Sequence, residues 1–250
     1  MTMKRVDFIG ELPKLILPPY EASEVYEEEI VGEFENEIEQ RFFSHFVSLI
    51  NPQASILDLA CGDGRHTLRL AQNVSQVVAF DLSANNLRLA KEKCSKIPSI
   101  TYGRGSYFEL SFTSDLFDGI WFSQAFEYVP PDKREELLNS LNSILKTSGI
   151  LYMSVETWVD SNFLTSLINL FSDFKLFCYW KFVKGKPLLW GEFLYYLSSS
   201  NIRDRCAGWH YHVHSDEWTL RKLLKRTGFM IIDINIQDGY FYVLCKKSIR

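Results

Sequence analysis

The run Ile56-Leu57-Asp58-Leu59-Ala60-Cys61-Gly62-Asp63-Gly64, read with Val77-Val78-Ala79-Phe80-Asp81 downstream, decides the fold. The first stretch is an apolar strand that breaks into a turn of small residues. A helical pattern runs from Arg65 to Gln72, and the second stretch is another apolar strand, ending in an acid. Ala60, Gly62 and Gly64 let backbone approach a ligand closely, and glycine also adopts positive φ in a tight turn. The free N–H groups at the start of the helix point back at the turn and favour negative charge. Asp81 lies twenty-three positions beyond Asp58, at a strand end where a carboxylate can accept from both hydroxyls of a ribose. Turn plus distant acid reads as a site for a nucleotide-type cofactor.

Working outward, apolar and amphipathic segments alternate. A helix from Phe42 to Leu49 precedes strand 55–60, and helix 65–72, strand 76–81, helix 84–94 and strands 99–103 and 117–123 follow. Helix 132–146 then leads to strand 149–155. Helix 215–227 and two apolar runs turning at Asp238-Gly239 close the chain as a hairpin. The predicted class is α/β: a doubly wound, mostly parallel seven-stranded sheet with a C-terminal antiparallel hairpin and an aromatic-rich cap insertion. The expected organisation is an acidic helical extension over 1–40, a cofactor-binding half over 41–156, the cap over 157–212, and a C-terminal helix and hairpin over 213–250. Nine glutamates between residues 21 and 40, interleaved with Val25, Tyr26, Ile30, Phe34 and Ile38, predict an acidic amphipathic helix with a solvated charged face.

The dinucleotide fingerprint needs a third glycine in register, and Arg65-His66-Thr67 stands there instead. The D-x-A-C-G-x-G arrangement of residues 58–64 instead resembles motif I of the class I S-adenosylmethionine-dependent methyltransferases. The resemblance continues through Gly105-Ser106-Tyr107-Phe108-Glu109-Leu110, the lead Phe117-Asp118-Gly119-Ile120, the turn Leu145-Lys146-Thr147-Ser148-Gly149, and the junction Leu223-Leu224-Lys225-Arg226-Thr227-Gly228-Phe229. Together these cover roughly residues 40–157 and 213–247. The resemblance implies S-adenosylmethionine as cofactor and S-adenosylhomocysteine as product, held by Asp58, Ala60, Cys61, Gly62, Gly64, Asp81, Leu82, Ser106, Tyr107 and Ser123. Ser106 stands where related sequences often carry an acid that receives the adenine amino group. Glu127 occupies a position where the family often carries a histidine beside the transfer path.

Residues 123–130 read Ser-Gln-Ala-Phe-Glu-Tyr-Val-Pro. They lack the Asp/Asn-Pro-Pro-Tyr/Phe tetrad that enzymes methylating base amines place here, and Pro18-Pro19-Tyr20 lies ahead of motif I. No Pro-Cys pair follows the strand either, which removes cytosine-carbon methylation. The leading expectation is methyl transfer to an oxygen or nitrogen of a small or medium-sized molecule, with Glu127 or His212 as the catalytic group. Tyr20, Tyr26, Trp158 and His210 are the expected substrate contacts. His210-Tyr211-His212-Val213-His214 places alternate histidines on one face if extended. The resemblance instead implies a loop over the site, with Ser215 as a helix N-cap and no metal. Trp209–Val213 with Gln237–Phe241 faintly resembles tails of wobble-uridine methyltransferases, so tRNA is the alternative substrate. A cofactor-binding, non-catalytic partner subunit is a third reading.

Composition limits these readings. A net charge of −4 argues against wrapping nucleic acid by bulk electrostatics. Five scattered cysteines without a C-x-x-C pair suggest free thiols rather than disulfides or zinc. The expected setting is cytoplasmic, with no membrane partner, because no apolar run approaches the roughly 20 residues that span a bilayer. The cap is dense in aromatics, Trp158, Phe163, Phe171, Trp180, Trp190 and Tyr195 among them, and is expected to form its own small core or to cover a substrate. The sequence does not set the oligomeric state.

Overall fold

The computed structural model describes residues 3–22, 37–197 and 208–248, with backbone only at 15–22, 197, 208 and 209. Two helices, α1 (Arg5–Ala22) and α2 (Glu37–Leu49), precede the sheet. The predicted acidic helix over 21–40 is described only at its two ends, and Tyr26 lies outside the described residues. The sheet then builds as β1 (Ser55–Leu59), α3 (Arg65–Ala71), β2 (Gln76–Asp81), α4 (Ala84–Lys93), β3 (Ile100–Arg104), β4 (Phe117–Phe122), α5 (Arg134–Ile144) and β5 (Leu145–Glu156). The cap follows as α6 (Phe163–Cys178), a π-turn (Tyr179–Val183), and strands β6 (Glu192–Leu197) and β7 (Gly208–Val213). Helix α7 (Glu217–Arg226) leads into β8 (Phe229–Gln237) and β9 (Tyr240–Lys247).

The sheet has seven strands in the order β3-β2-β1-β4-β5-β9-β8. β1 to β5 pair in parallel and β9 pairs antiparallel with both β5 and β8. Strands buried on both faces must be apolar throughout, which is why Ile56, Leu57, Leu59 and Ile120 to Phe122 form unbroken runs. One face packs against Leu137, Leu138 and Leu141 of α5 and Leu220 and Leu224 of α7. The other packs against Phe42, Phe43 and Phe46 of α2 and Leu70 of α3. On that side Trp121 stacks on Tyr152 with centroids 3.7 Å apart, while Phe43 and Phe46 meet Trp121 edge-on at 5.3 Å. The strand expected over 149–155 begins earlier, because Leu145 already pairs with Phe117. The register then shifts, so that Ile150 faces Gly119.

The segment expected as a loop over the site is a strand. β7 pairs antiparallel with β6 in a two-stranded sheet of its own, with His212 opposite Phe193 and His210 opposite Tyr195. The alternation of His210, His212 and His214 with Tyr211 and Val213 explains this: Tyr211 and Val213 turn inward to a satellite core with Trp180, Leu188 and Leu194. Phe8 and Leu12 of α1 complete that core, so the N-terminal helix packs on the cap. Arg5 clamps the contact with bonds of 2.6 and 2.7 Å to the fully buried carboxylate of Glu192, and also reaches Asp132 at 2.6 Å. Glu192 further accepts from Tyr211 Oη and the Leu189 amide, both at 2.5 Å. Removing one partner of a buried ion pair costs about 3–5 kcal/mol because the remaining groups keep their desolvation cost. Glu192→Ala is therefore expected to lower unfolding stability by roughly 3 kcal/mol. Urea titration followed by tryptophan fluorescence reads the loss, since Trp180 sits in the same core and donates to Leu194 O at 2.6 Å.

Candidate active site

Parallel neighbours end together, so the C-terminal ends of β1, β2 and β4 bring their loops to one edge of the sheet. A cavity of about 250 Å³ opens there. The turn Ala60–Asp63, Asp81–Ser83, Gly105–Phe108 and Ser123–Ala125 line it, and Ile9, Leu12 and Pro13 of α1 roof it. Two cavity residues hold left-handed backbone that only glycine adopts without cost: Ala60 at φ 57° and Gln124 at φ 50°. Gly62 has φ 55°, and a Cβ there would meet no atom within 4 Å. Gly64 does something else. With φ 85° it passes so close to α4 that a Cβ would sit 2.9 Å from the Ala90 Cβ, so it serves packing and does not line the cavity.

The acids divide the work. Asp58 lies beneath the turn, out of the cavity, and accepts from Thr67 Oγ1 at 2.5 Å; burial pushes its carboxyl up to about 7. Asp81 lines the cavity. Its Oδ2 accepts from the Gly62 amide at 2.9 Å and its Oδ1 from the Ser83 amide at 2.8 Å, while burial raises its pKa. One carboxylate thus braces the glycine turn and opens α4, leaving lone pairs for a ligand. Leu82, Tyr107 and Phe108 line the same end, and Ser106 accepts from the Phe108 amide at 3.2 Å.

At the other end the sequence reading missed Glu39, Arg65 and His66. Glu39 of α2 is buried, and its carboxylate accepts from Ser123 Oγ at 2.8 Å and Arg65 Nη2 at 3.2 Å, with His66 Nε2 at 3.3 Å. Burial alone would raise this carboxyl; His66, Arg65 and Ser123 outweigh it and hold it at about 2. Burial pushes His66 itself down, against the opposing pull of Glu39. Two cavity-lining side chains carry buried polar atoms without a hydrogen-bond partner, His66 Nδ1 and Asn86 Oδ1. A signal for Arg65 and His66 existed in their place on the first helical turn; nothing marked Glu39 among its neighbours.

A second cluster lies against the wall of this cavity. His212 is buried and does not itself line the cavity; Tyr128, which does, meets its ring edge-on at 5.0 Å. His212 Nδ1 pairs with Glu156 at the end of β5, and its Nε2 faces Tyr195 Oη at 3.1 Å. His214 bridges Asp173 of α6 at 2.5 Å and Glu156 at 3.6 Å. Burial would raise Glu156, but the two histidines pull it far down. Burial and the nearby charge of Glu156 push Glu127 the opposite way, and its Oε2 has no partner. Glu127, expected as a catalytic group, is buried in the 3-10 turn Phe126–Tyr128 and does not line the cavity. Arg134 holds the turn to the cap, donating to Val129 O at 2.9 Å, Val213 O at 3.1 Å and Ser215 Oγ at 2.5 Å. Ser215, expected as the N-cap of α7, is taken up here, and Asp216 caps the helix.

The expected substrate contacts scatter. His210 is buried against Tyr195 at 5.6 Å and does not line the cavity. Trp158 lines a separate hollow of about 320 Å³ with Trp190 and Trp218. Tyr20 is described in backbone only. Strand pairing explains His210: residues 210 and 212 share a face, but only His212 sits at the end near β5.

Residues 56–149 match the family model described as a methyltransferase domain. These residues are a class I S-adenosylmethionine-dependent methyltransferase domain. An uncharacterized methyltransferase of Synechocystis is 34% identical over 101 residues, covering 40% of this chain and 46% of that protein. A trans-aconitate 2-methyltransferase of Deinococcus radiodurans is 32% identical over 104 residues, covering 42% and 38%. This chain thus spans less than half the length of either curated relative. The structure of 1,6-didemethyltoxoflavin-N1-methyltransferase from Burkholderia thailandensis, solved with S-adenosylhomocysteine, shares the fold with a TM-score of 0.59 at 16% identity, covering 98% of this chain and 87% of that one. The likeness of fold therefore extends beyond residues 56–149.

His214 makes the cap pH-sensitive. Burial lowers its pKa, but Asp173 and Glu156 overcome this and raise it from 6.5 to about 9. A raised folded-state value means that the stabilisation is complete below pH 6.5 and is lost as pH climbs through about 9. His214→Gln is expected to cost up to about 3 kcal/mol near pH 6 and progressively less toward pH 9.5. Unfolding curves of both proteins across that range check the convergence.

Proposed function

We propose that the protein transfers a methyl group from S-adenosylmethionine to an oxygen or nitrogen of a small or medium-sized molecule held between the domain and its cap. The observation that carries the reading is the juxtaposition of the Asp81–Gly62 cavity with the Glu156–His212 pair across Tyr128. The cavity residues suit this cofactor. Asp81 has acceptor capacity for ribose hydroxyls, Asn86 Oδ1 is a free acceptor beside it, and Phe80, Leu82, Tyr107 and Phe108 offer apolar surface for a base. Toward the glycine turn, Arg65 suits a carboxylate, and His66 Nδ1 is a further polar atom left to pair.

When bound, the cofactor supplies a methyl carbon on a sulfonium, which leaves with its bonding electrons remaining on sulfur. The residues of this chain have to align the acceptor, exclude water and take the acceptor's proton. His212 suits the last task. Glu156 fixes its Nδ1 and stabilises the imidazolium, while Nε2 is presented at a position now met by Tyr195 Oη, where an acceptor hydroxyl or amine can donate. Glu127, kept protonated by burial and by Glu156, adds no second negative charge beside the base.

Calorimetry with S-adenosylmethionine and S-adenosylhomocysteine tests the first half. Binding is expected in the wild type and to weaken about a hundredfold in Asp81→Ala, where a charge-assisted acceptor is lost. No binding at millimolar ligand overturns the reading. For the second half, His212→Ala is expected to lower kcat by about 10²–10⁴ with cofactor affinity unchanged, measured on acceptors found by screening small molecules. Methyl transfer to tRNA and not to small acceptors would replace this substrate class with the tRNA reading.

A further inference from the structure

Helix α6 is inside-out. Its buried residues are polar: Ser166 bonds to the backbone of Asp160 and Asn162, and Asp173 pairs with His214 of the site cluster. Half-buried Asn169 adds a bond to the Trp158 carbonyl. Its outward residues are apolar. Phe163 is 73% exposed, Leu164 68%, Ile168 69% and Phe171 64%, and Leu167 and Phe174 are also exposed. On a helix these six fall within about 140° of one another and run for about 17 Å. The π-turn continues the face with Phe182 at 72% and Val183 at 71%. Monomeric proteins rarely expose so continuous an apolar surface, so the face is built to be covered.

Charge indicates by what. The whole chain is acidic at −4, yet between residues 161 and 191 the only acid is Asp173, which is buried and paired. Lys175, Lys181, Lys184 and Lys186 lie in the same segment, and three hold their ammonium groups over rings: Lys175 over Phe171 at 5.9 Å, Lys181 over Phe177 at 5.0 Å and Lys184 over Tyr179 at 5.4 Å. A two-fold dimer would bring this patch against itself, setting the lysines against their copies with no exposed carboxylate in the segment to offset them. An apolar face with aromatic side chains and a cationic rim matches an anionic bilayer, where long lysines reach the headgroups while rings enter the acyl boundary.

We infer that the outward face of α6 and its following turn is a docking surface for an anionic lipid bilayer. The protein lies on the membrane without crossing it. No described helix is long and apolar enough to span one, and an interfacial helix needs only the face and rim present here. Because Asp173 ties the inner side of α6 to His214, docking also sets the orientation of the site cluster relative to the lipid surface.

Co-sedimentation of the full chain with phosphatidylcholine vesicles, with and without phosphatidylglycerol, tests this. Binding is expected to the anionic vesicles, to weaken with salt, and to be much weaker on phosphatidylcholine alone. The exposed double variant Phe171→Asp/Phe182→Asp is expected to lose at least about tenfold in binding. Lys175→Glu/Lys184→Glu is expected to lose the preference for anionic lipid by a similar factor while keeping the rings. Circular dichroism and melting confirm that the variants fold, and the salt dependence of the wild type needs no variant. Absence of binding to anionic vesicles overturns the inference, as does binding that neither double variant weakens. A dimer in sedimentation velocity that Phe171→Asp/Phe182→Asp dissociates, without vesicle binding, assigns the face to a second copy and likewise overturns it.

Discussion

The geometry of the site depends on one buried guanidinium. Arg134 sits at the start of α5 and spends its donors on Val129, Phe126, Val213 and Ser215, with its plane 4.5 Å over the Phe126 ring. Two of these acceptors belong to the loop after β4 and two to the end of the cap strand, so one side chain ties the turn carrying Tyr128 to the strand carrying His212. A planar fork with five fixed donors can do this, and a lysine cannot. None of the bonded acceptors is a carboxylate. Burial pulls the guanidinium down to about 10, and Tyr211, Glu127 and Glu192 oppose that pull, so it stays charged at neutral pH while satisfying carbonyls that would otherwise be stranded.

Around that anchor the acids are sorted by environment. Glu127 and Glu156 are close enough to feel each other, yet burial drives one toward its neutral form while two histidines hold the other ionised. The result is one anion beneath His212 and not two. In the cofactor cavity, Asp81 spends amide bonds on bracing the glycine turn and the start of α4, so ligand binding and local folding draw on the same carboxylate.

The cap inverts the usual assignment of faces. An aromatic-rich insertion reads as a small core, and part of it is one: Trp180, Phe193, Leu194 and Tyr211 are buried. The helix α6, however, turns Ser166 and Asp173 inward and Phe163, Phe171 and Phe174 outward. Its inner face holds Asp173 under His214, where a charged pair is worth more than an apolar contact, and this fixes the rotation of the helix. N-terminal to the sheet, α1 takes a helical path despite Pro13, because Phe8 and Leu12 gain a core with the cap and Arg5 gains Glu192.

By itself the sequence determined the sheet and the glycine turn. Strand and helix periods, the left-handed demands of Gly62 and Gly64, and the acid closing β2 are local properties, written within a few residues of where they act. What remained for the tertiary structure was every contact made across the chain. Glu39 is one of nine glutamates in its neighbourhood, and only the docking of α2 against α3 and the loop after β4 singles it out to meet Arg65 and Ser123. His210 and His212 are indistinguishable by spacing, and only the pairing of β6 with β7 beside β5 gives one of them Glu156. Which face of α6 looks inward was equally illegible, because hydrophobicity predicts the opposite rotation from the one a buried Asp173–His214 pair imposes. Local pattern specifies elements; the partners of a buried charge are chosen by packing, which brings together residues that no window of sequence contains.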